Sequence, residues 1–134
     1  MIKYSFVIIF LFTFIAAPLA QATPASNALM EKYKSEGAGS FDMERGKKDW
    51  HKEVKGEEGE MLSCQTCHGS DLGKKGKHRK TQKIIEPMAP SANPERFTDE
   101  KKIEKWFKRN CKDTWGRECT AQEKGDILKY LLSL

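Results

Sequence analysis

An all-α domain is the fold this sequence predicts, and three observations point to it. Apolar residues recur three and four positions apart around Tyr33, Trp50, Trp106 and Leu128, the spacing that puts side chains on one helix face. Residues that cap helices stand directly before several of these segments. Beyond residue 22, no segment alternates strongly enough between apolar and polar residues to read as a strand.

The chain opens on MIKYSFVIIFLFTFIAAPLAQA, with one cation, Lys3, and an apolar run from Phe6 to Ala17 that stops at Pro18. That is the layout of a secretory signal peptide, and the run is short for a membrane span. Small residues at Ala20 and Ala22 place cleavage after Ala22. Residues 1–22 are therefore expected to be a signal peptide, and 23–134 a single domain with a modest core. No basic stop-transfer cluster follows the run, so no membrane span is expected after cleavage. The expected location is periplasmic, where four cysteines can pair or do other chemistry. For an exported chain, a net charge of +5 is a poor argument for nucleic-acid binding.

A short helix is expected from about Asn27 to Glu36, with Leu29, Met30 and Tyr33 on one side and Gly37 to Ser40 ending it. A second opens near Phe41 or Asp42 and sets Met43, Gly46 and Trp50 three and four apart. KGEEGE then interrupts the pattern. From Gly69 to Pro94 the chain is rich in Gly, Lys and Pro, which predicts loop with one helical turn around Lys80 to Ile85. A third helix starts at FTDE, with Thr98 as the expected cap, Asp99 and Glu100 at the positive end of the dipole, and a stripe of Ile103, Trp106 and Phe107. The last helix opens on Thr120-Ala121-Gln122-Glu123, a capping-box spacing, and buries Ile127, Leu128 and Leu131 with Tyr130 or Leu134. Gly46 and Gly125 are expected to let two helices cross closely.

The most specific chemical signal is Cys64-Gln65-Thr66-Cys67-His68. Two thiols three positions apart can form thioethers to the vinyl groups on one porphyrin edge, and the adjacent imidazole then falls beneath the iron. A thioredoxin-like redox pair would need strands alternating with helices around it. Zinc could recruit Cys64, Cys67, Cys111 and Cys119, but the second pair lacks the tight spacing of a zinc site and leaves His68 unexplained. The expected cofactor is one covalently attached haem c.

Candidates for the opposite side of the iron are Met88, Asn110, His51, His78, or no protein ligand. Met88 lies in a Pro-flanked loop, whereas both histidines read better as solvated surface residues. Asn110 stands seven residues beyond Ile103 and so continues its stripe, where a polar amide needs a partner or a metal. On spacing alone, a helix-terminating asparagine bonded to backbone is the commoner reading. In an exported chain, Cys111 and Cys119 are expected to pair as a disulfide around KDTWGRE. Such a loop closure contributes about 2–3 kcal/mol in the chain-entropy model, and it would hold the Asn110 backbone in place. The haem motif and terminal helices resemble the class I cytochromes c, whose sixth ligand comes from the segment just before the last helix. Here that is the stretch around Asn110 to Arg117, which contains no methionine.

The run PMAPSANPERFTDEKKIEKWFKRNCKDTWGRECTAQEKGDILKYL, with CQTCHG and the ERGK of the second helix, resembles the sphaeroides haem protein (SHP) family of oxygen-binding, high-spin cytochromes c. The resemblance covers nearly all of the chain beyond residue 22. It implies a class I cytochrome c fold, haem held by Cys64 and Cys67, and His68 as proximal ligand. It further implies that Asn110 is a distal ligand that binds ferric iron and leaves on reduction, that Cys111 and Cys119 form the disulfide behind it, and that a dihaem cytochrome c is the electron donor.

The leading expectation is a haem that binds O2 or NO once Asn110 has left, with Trp106, Phe107 and Trp115 shaping the pocket. One alternative is a plain electron shuttle with Met88 or a histidine as permanent ligand. Another is an enzyme acting on oxygen, peroxide or NO, for which no distal acid–base pair is identifiable in the sequence. Lys74, Lys75, Lys77, Arg79, Lys80 and Lys83 form a basic run with no acid among them. Such a run is usually a solvated loop, but near a haem it can steer an acidic redox partner.

Overall fold

The computed structural model describes residues 22–134. The expected signal peptide, apart from Ala22, lies outside the described residues. Among them, no helix is long and apolar enough to cross a membrane. The elements in chain order are α1 (Pro24–Ser35), α2 (Met43–His51), β1 (Val54–Lys55), β2 (Met61–Leu62), α3 (Gln65–His68), β3 (Gly76–Lys77), β4 (Ile84–Ile85), α4 (Glu100–Trp115) and α5 (Ala121–Leu132).

The caps decide where the helices begin. α1 starts three residues earlier than expected because Thr23 and Ser26 cap one another and Pro24 occupies the first turn, where its missing N–H costs nothing. Asp42 caps α2 through the Arg45 amide, and Thr120 with Glu123 forms the expected capping box of α5. At α4 the cap is Asp99, whose carboxylate accepts the Lys102 amide at 3.0 Å. The expected cap, Thr98, instead turns its hydroxyl back to the Glu95 carbonyl at 2.9 Å. The two differ because a carboxylate one residue later reaches the same free amides and also complements the dipole.

Two further expectations are corrected. The helical turn expected at Lys80 to Ile85 is a hairpin: β3 pairs antiparallel with β4, and the His78 amide reaches the Lys83 carbonyl at 2.9 Å. KGEEGE likewise forms the tip of a second hairpin between β1 and β2, closed by the Gly56 amide on the Glu60 carbonyl at 2.7 Å. Ladders of two residues a strand leave no alternation to read in the sequence. The second correction concerns Trp106, which is 46% exposed rather than buried. The buried side of α4 runs through Ile103, Cys111 and Trp115, a spacing that drifts around the helix and leaves Trp106 on its flank.

Two apolar clusters share Phe97 and Phe107 at their borders. One joins α1, α4 and α5 through Leu29, Tyr33, Ile103, Leu128 and Leu132. The other gathers Trp50, Leu72, Trp115, Ile127, Tyr130 and Leu131 with the cysteines of the α4–α5 corner. Phe97 sits at φ 60°, a conformation rare for a bulky side chain. Its carbonyl accepts the Thr23 hydroxyl, and its packing against both clusters holds it there.

α2 crosses α5 at Gly46, where a Cβ would stand 1.9 Å from the Asp126 carbonyl oxygen. Gly125 has a different role from the one expected, because its missing side chain makes room for the Phe41 ring. Asp126, 2% exposed, is the residue the sequence least announces. Its carboxylate accepts the Asp42 amide at 2.6 Å, Arg45 Nε at 2.9 Å, Arg45 Nη2 at 3.0 Å and Gln122 Nε2 at 3.1 Å. A buried carboxylate supplied with this many donors is tolerated.

Asp126→Ala, which strips those donors of their acceptor, is expected to lower unfolding free energy by about 3 kcal/mol. Gly46→Ala, which pushes the crossing apart, should cost about 2–3 kcal/mol. Urea unfolding of the holoprotein checks both, and wild-type midpoints in either variant would contradict this account of the crossing.

Candidate haem-binding site

One helical turn carries the chemistry-bearing residues. The Ser63 amide donates to the Thr66 hydroxyl at 3.0 Å and the Thr66 amide to the Ser63 carbonyl at 3.0 Å, which starts the turn. Gly69, at φ 75°, ends it with its amide on the Gln65 carbonyl at 2.8 Å. Cys64, Cys67 and His68 are thus related as i, i+3 and i+4 and share a face. β3 backs the turn closely, since a Cβ on Gly76 would lie 2.3 Å from the Cys67 carbonyl oxygen. The Leu72 carbonyl accepts the amides of Met88 and Ala89 at 2.9 and 3.0 Å, tying the following loop to the turn.

The electrostatics suit a covalently held iron porphyrin. Burial pushes the free Cys64 thiol up to about 12, which does not suit the activated thiolate of a redox pair. Burial, with a smaller contribution from the Arg96 charge, lowers His68 to about 4, which keeps the imidazole neutral. A neutral imidazole has the lone pair that a metal needs. His68 Nδ1 and the indole N–H groups of Trp50 and Trp115 are all buried without a hydrogen-bond partner. The Trp50 ring lies 5.1 Å from the His68 ring, centroid to centroid, and 6.5 Å from Tyr130. Unsatisfied polar atoms beside an apolar cluster fit a cofactor with polar groups better than they fit a closed core. The residues that could hold haem here are therefore Cys64, Cys67 and His68.

Arg96 was not singled out from sequence, where it is one cation among many. In the structure it is half-buried and donates to the carbonyls of Glu86 and of Pro87, the latter at 2.7 Å. Its burial lowers its own pKa as well.

Helix α4 runs five residues past Asn110 and ends at Gly116 in the left-handed conformation. Asn110 is therefore interior to the helix, half-buried, and not its terminator. The next residue, Cys111, is bonded to Cys119 with a Cα–Cα distance of 5.7 Å. Those two cysteines are thus not available to a four-cysteine zinc site. Among the described residues, no group of three or more His, Cys, Asp or Glu could hold a metal. Arg117 spans the same corner, donating through both terminal nitrogens to Glu123 at 2.6 and 2.8 Å.

Of the other candidate ligands, the two histidines are engaged locally and Met88 lies beside the cluster around Trp50. His51 is exposed, with Nδ1 2.6 Å from the Lys47 carbonyl oxygen. His78 accepts the Thr81 amide within its hairpin at 3.2 Å. Met88 packs against the cluster that contains Trp50 and Trp115. Phe107 borders that cluster and Trp115 belongs to it, whereas the exposed Trp106 does not.

A family model described as a domain of unknown function, DUF1924, matches residues 36–131. The cytochrome c-type protein SHP of Cereibacter sphaeroides is 39% identical over 117 residues, covering 87% of this chain and 90% of that protein. The structure of oxidised SHP, an oxygen-binding cytochrome c, matches with a TM-score of 0.71 at 41% identity, over 79% of this chain and 94% of the other. The solution structure of cytochrome c'' from Methylophilus methylotrophus, solved for insight into haem-ligand detachment, matches with a TM-score of 0.67 at 32% identity, over 80% and 91% of the two chains. A helical cytochrome c fold with this kinship makes the protein a c-type cytochrome carrying one covalently bound haem c. Within that class, the chain belongs to the SHP family.

The corner beside Asn110 is open to a pH test. Arg117, followed by the Thr120 amide, holds the Glu123 carboxyl down to about 2 against the effect of burial. A carboxyl held below its unfolded value of about 4.3 contributes stability that is complete above that value and lost as pH falls through the folded value. Stability of the holoprotein is expected to decline between about pH 4.3 and about 2, and Glu123→Gln to flatten that part of the profile. Superimposable acid profiles would contradict the role given to the Arg117 fork.

Proposed function

We propose that this protein is an exported, periplasmic cytochrome whose Asn110 binds ferric iron and leaves on reduction, opening the site to O2 or NO. Cys64 and Cys67 carry the thioethers and His68 supplies the proximal imidazole. Haem c, held by these residues, would supply a one-electron iron centre that can also take a gas ligand. The observation that carries this proposal is the place of Asn110: half-buried inside α4, next to the pinned Cys111, with its amide not spent on ending the helix.

Each residue then has a distinct task. His68, half-buried beside Trp50 and kept neutral, is a permanent donor. Asn110 offers a carboxamide, a weak ligand for iron, on a backbone anchored by the Cys111–Cys119 bond. A weak ligand on a fixed backbone can be displaced and can return without refolding of the helix. Two relatives support this division: SHP is described as oxygen-binding, and cytochrome c'' through haem-ligand detachment. The proposed electron donor is a dihaem cytochrome c, and residues 1–22 serve as the signal peptide.

Ferric and ferrous optical spectra, with and without O2 and NO, on the native protein and Asn110→Ala test the proposal. The native ferrous form is expected to bind both gases. In Asn110→Ala the ferric form should bind NO about tenfold more tightly or better, since no internal ligand competes. A native ferrous spectrum that is six-coordinate and indifferent to O2, CO and NO would overturn the proposal. A red-edge ferric band lost in Met88→Ala would identify methionine as the ligand instead.

A further inference from the structure

We propose that the outward face of α4 around Trp106 is the docking surface for an acidic electron-donor protein, in preference to the lysine-rich loop 74–83. This rests on the proposed function only in taking the iron to be reduced by a protein partner.

Trp106 is a large apolar side chain at 46% exposure, and it precedes Asn110 by one helical turn. Its ring is flanked by cations, with Lys105 Nζ 5.6 Å and the Arg109 guanidinium carbon 5.2 Å from the centroid. Lys101, Lys105 and Lys108 follow at i, i+4 and i+7, and so form a basic stripe beside the ring. Among the described residues, the ion pairs on this side of α4 are Lys102 with Asp99 and Lys112 with Glu118. Lys101, Lys105, Lys108 and Arg109 are left without an acidic partner. In the loop, Lys74 pairs with Asp71, Lys75 with Glu86 and Arg79 with Glu60, while Lys77, Lys80 and Lys83 have no acidic partner among the described residues and no exposed aromatic ring beside them.

That contrast decides between the two surfaces. An acidic partner meeting the loop must compete with carboxylates at half of its cations and finds no aromatic ring there, whereas on α4 it meets unpaired cations around an aromatic centre. A tryptophan beside an arginine is the composition of an interface hot spot, and the unpaired lysines around them steer encounter. The occupant is therefore a one-electron carrier with an acidic rim and an apolar patch at its centre. The donor loses one electron and the ferric iron gains it.

Stopped-flow reduction of the holoprotein by an acidic plant-type ferredoxin tests this, with Trp106→Ala, Lys105→Glu/Arg109→Glu and, in the loop, Lys75→Glu/Lys77→Glu. At low salt the α4 variants are expected to lower the second-order rate about tenfold, and the charge reversal to flatten its salt dependence. The loop variant should change the rate by less than about twofold. Reduction by dithionite and the ferric spectrum should stay as in the native protein, which separates docking from any fault at Asn110. A loop variant that slows reduction as much as the α4 variants, or α4 variants at the native rate, would overturn the proposal.

Discussion

The crossing of α2 over α5 is the constraint on which the rest of the structure depends. Gly46 removes the side chain that would strike the Asp126 carbonyl, and Arg45, the Asp42 amide and Gln122 together satisfy the Asp126 carboxylate. One residue pair therefore sets both the distance and the orientation of two helices. From there the order passes inward: Tyr130 on α5 meets Trp50 on α2, and Trp50 meets His68 on the single turn of α3. The imidazole proposed to bind iron is positioned by a carboxylate near the opposite end of α2.

The α4–α5 corner is held by a different device. α4 ends at Gly116, and the short return to α5 is closed by the Cys111–Cys119 bond, the Arg117 fork on Glu123, and the Thr120 capping box. Covalent, ionic and backbone interactions all act on the same corner, and Asn110 is the residue next to it. In the proposed cycle, then, change at the iron is confined to one weak bond. The enclosing helices have no reason to move far, because interactions independent of that bond hold them.

How much was legible in the sequence follows from where the information lies. Cys64, Cys67 and His68 were readable as candidates because attachment chemistry demands a fixed local spacing, and the α5 capping box because it needs only Thr120 and Glu123. Asn110 was readable as a polar residue on an apolar stripe, but α4 continuing to Trp115 was needed to dismiss it as a helix terminator. Trp106 was misjudged since i, i+3 and i+4 spacing locates a face without saying which edge of it meets solvent. The burial of Asp126 and the two short hairpins depend on partners up to about eighty residues away, or on ladders too short to leave a period.

The central claim is that the iron loses a protein ligand when it gains an electron. Iron K-edge X-ray absorption of the gas-free holoprotein in both oxidation states measures this directly. The account predicts one fewer light-atom neighbour in the ferrous protein, with no corresponding protein ligand to lose in Asn110→Ala. An unchanged first coordination shell across reduction in the native protein would contradict it.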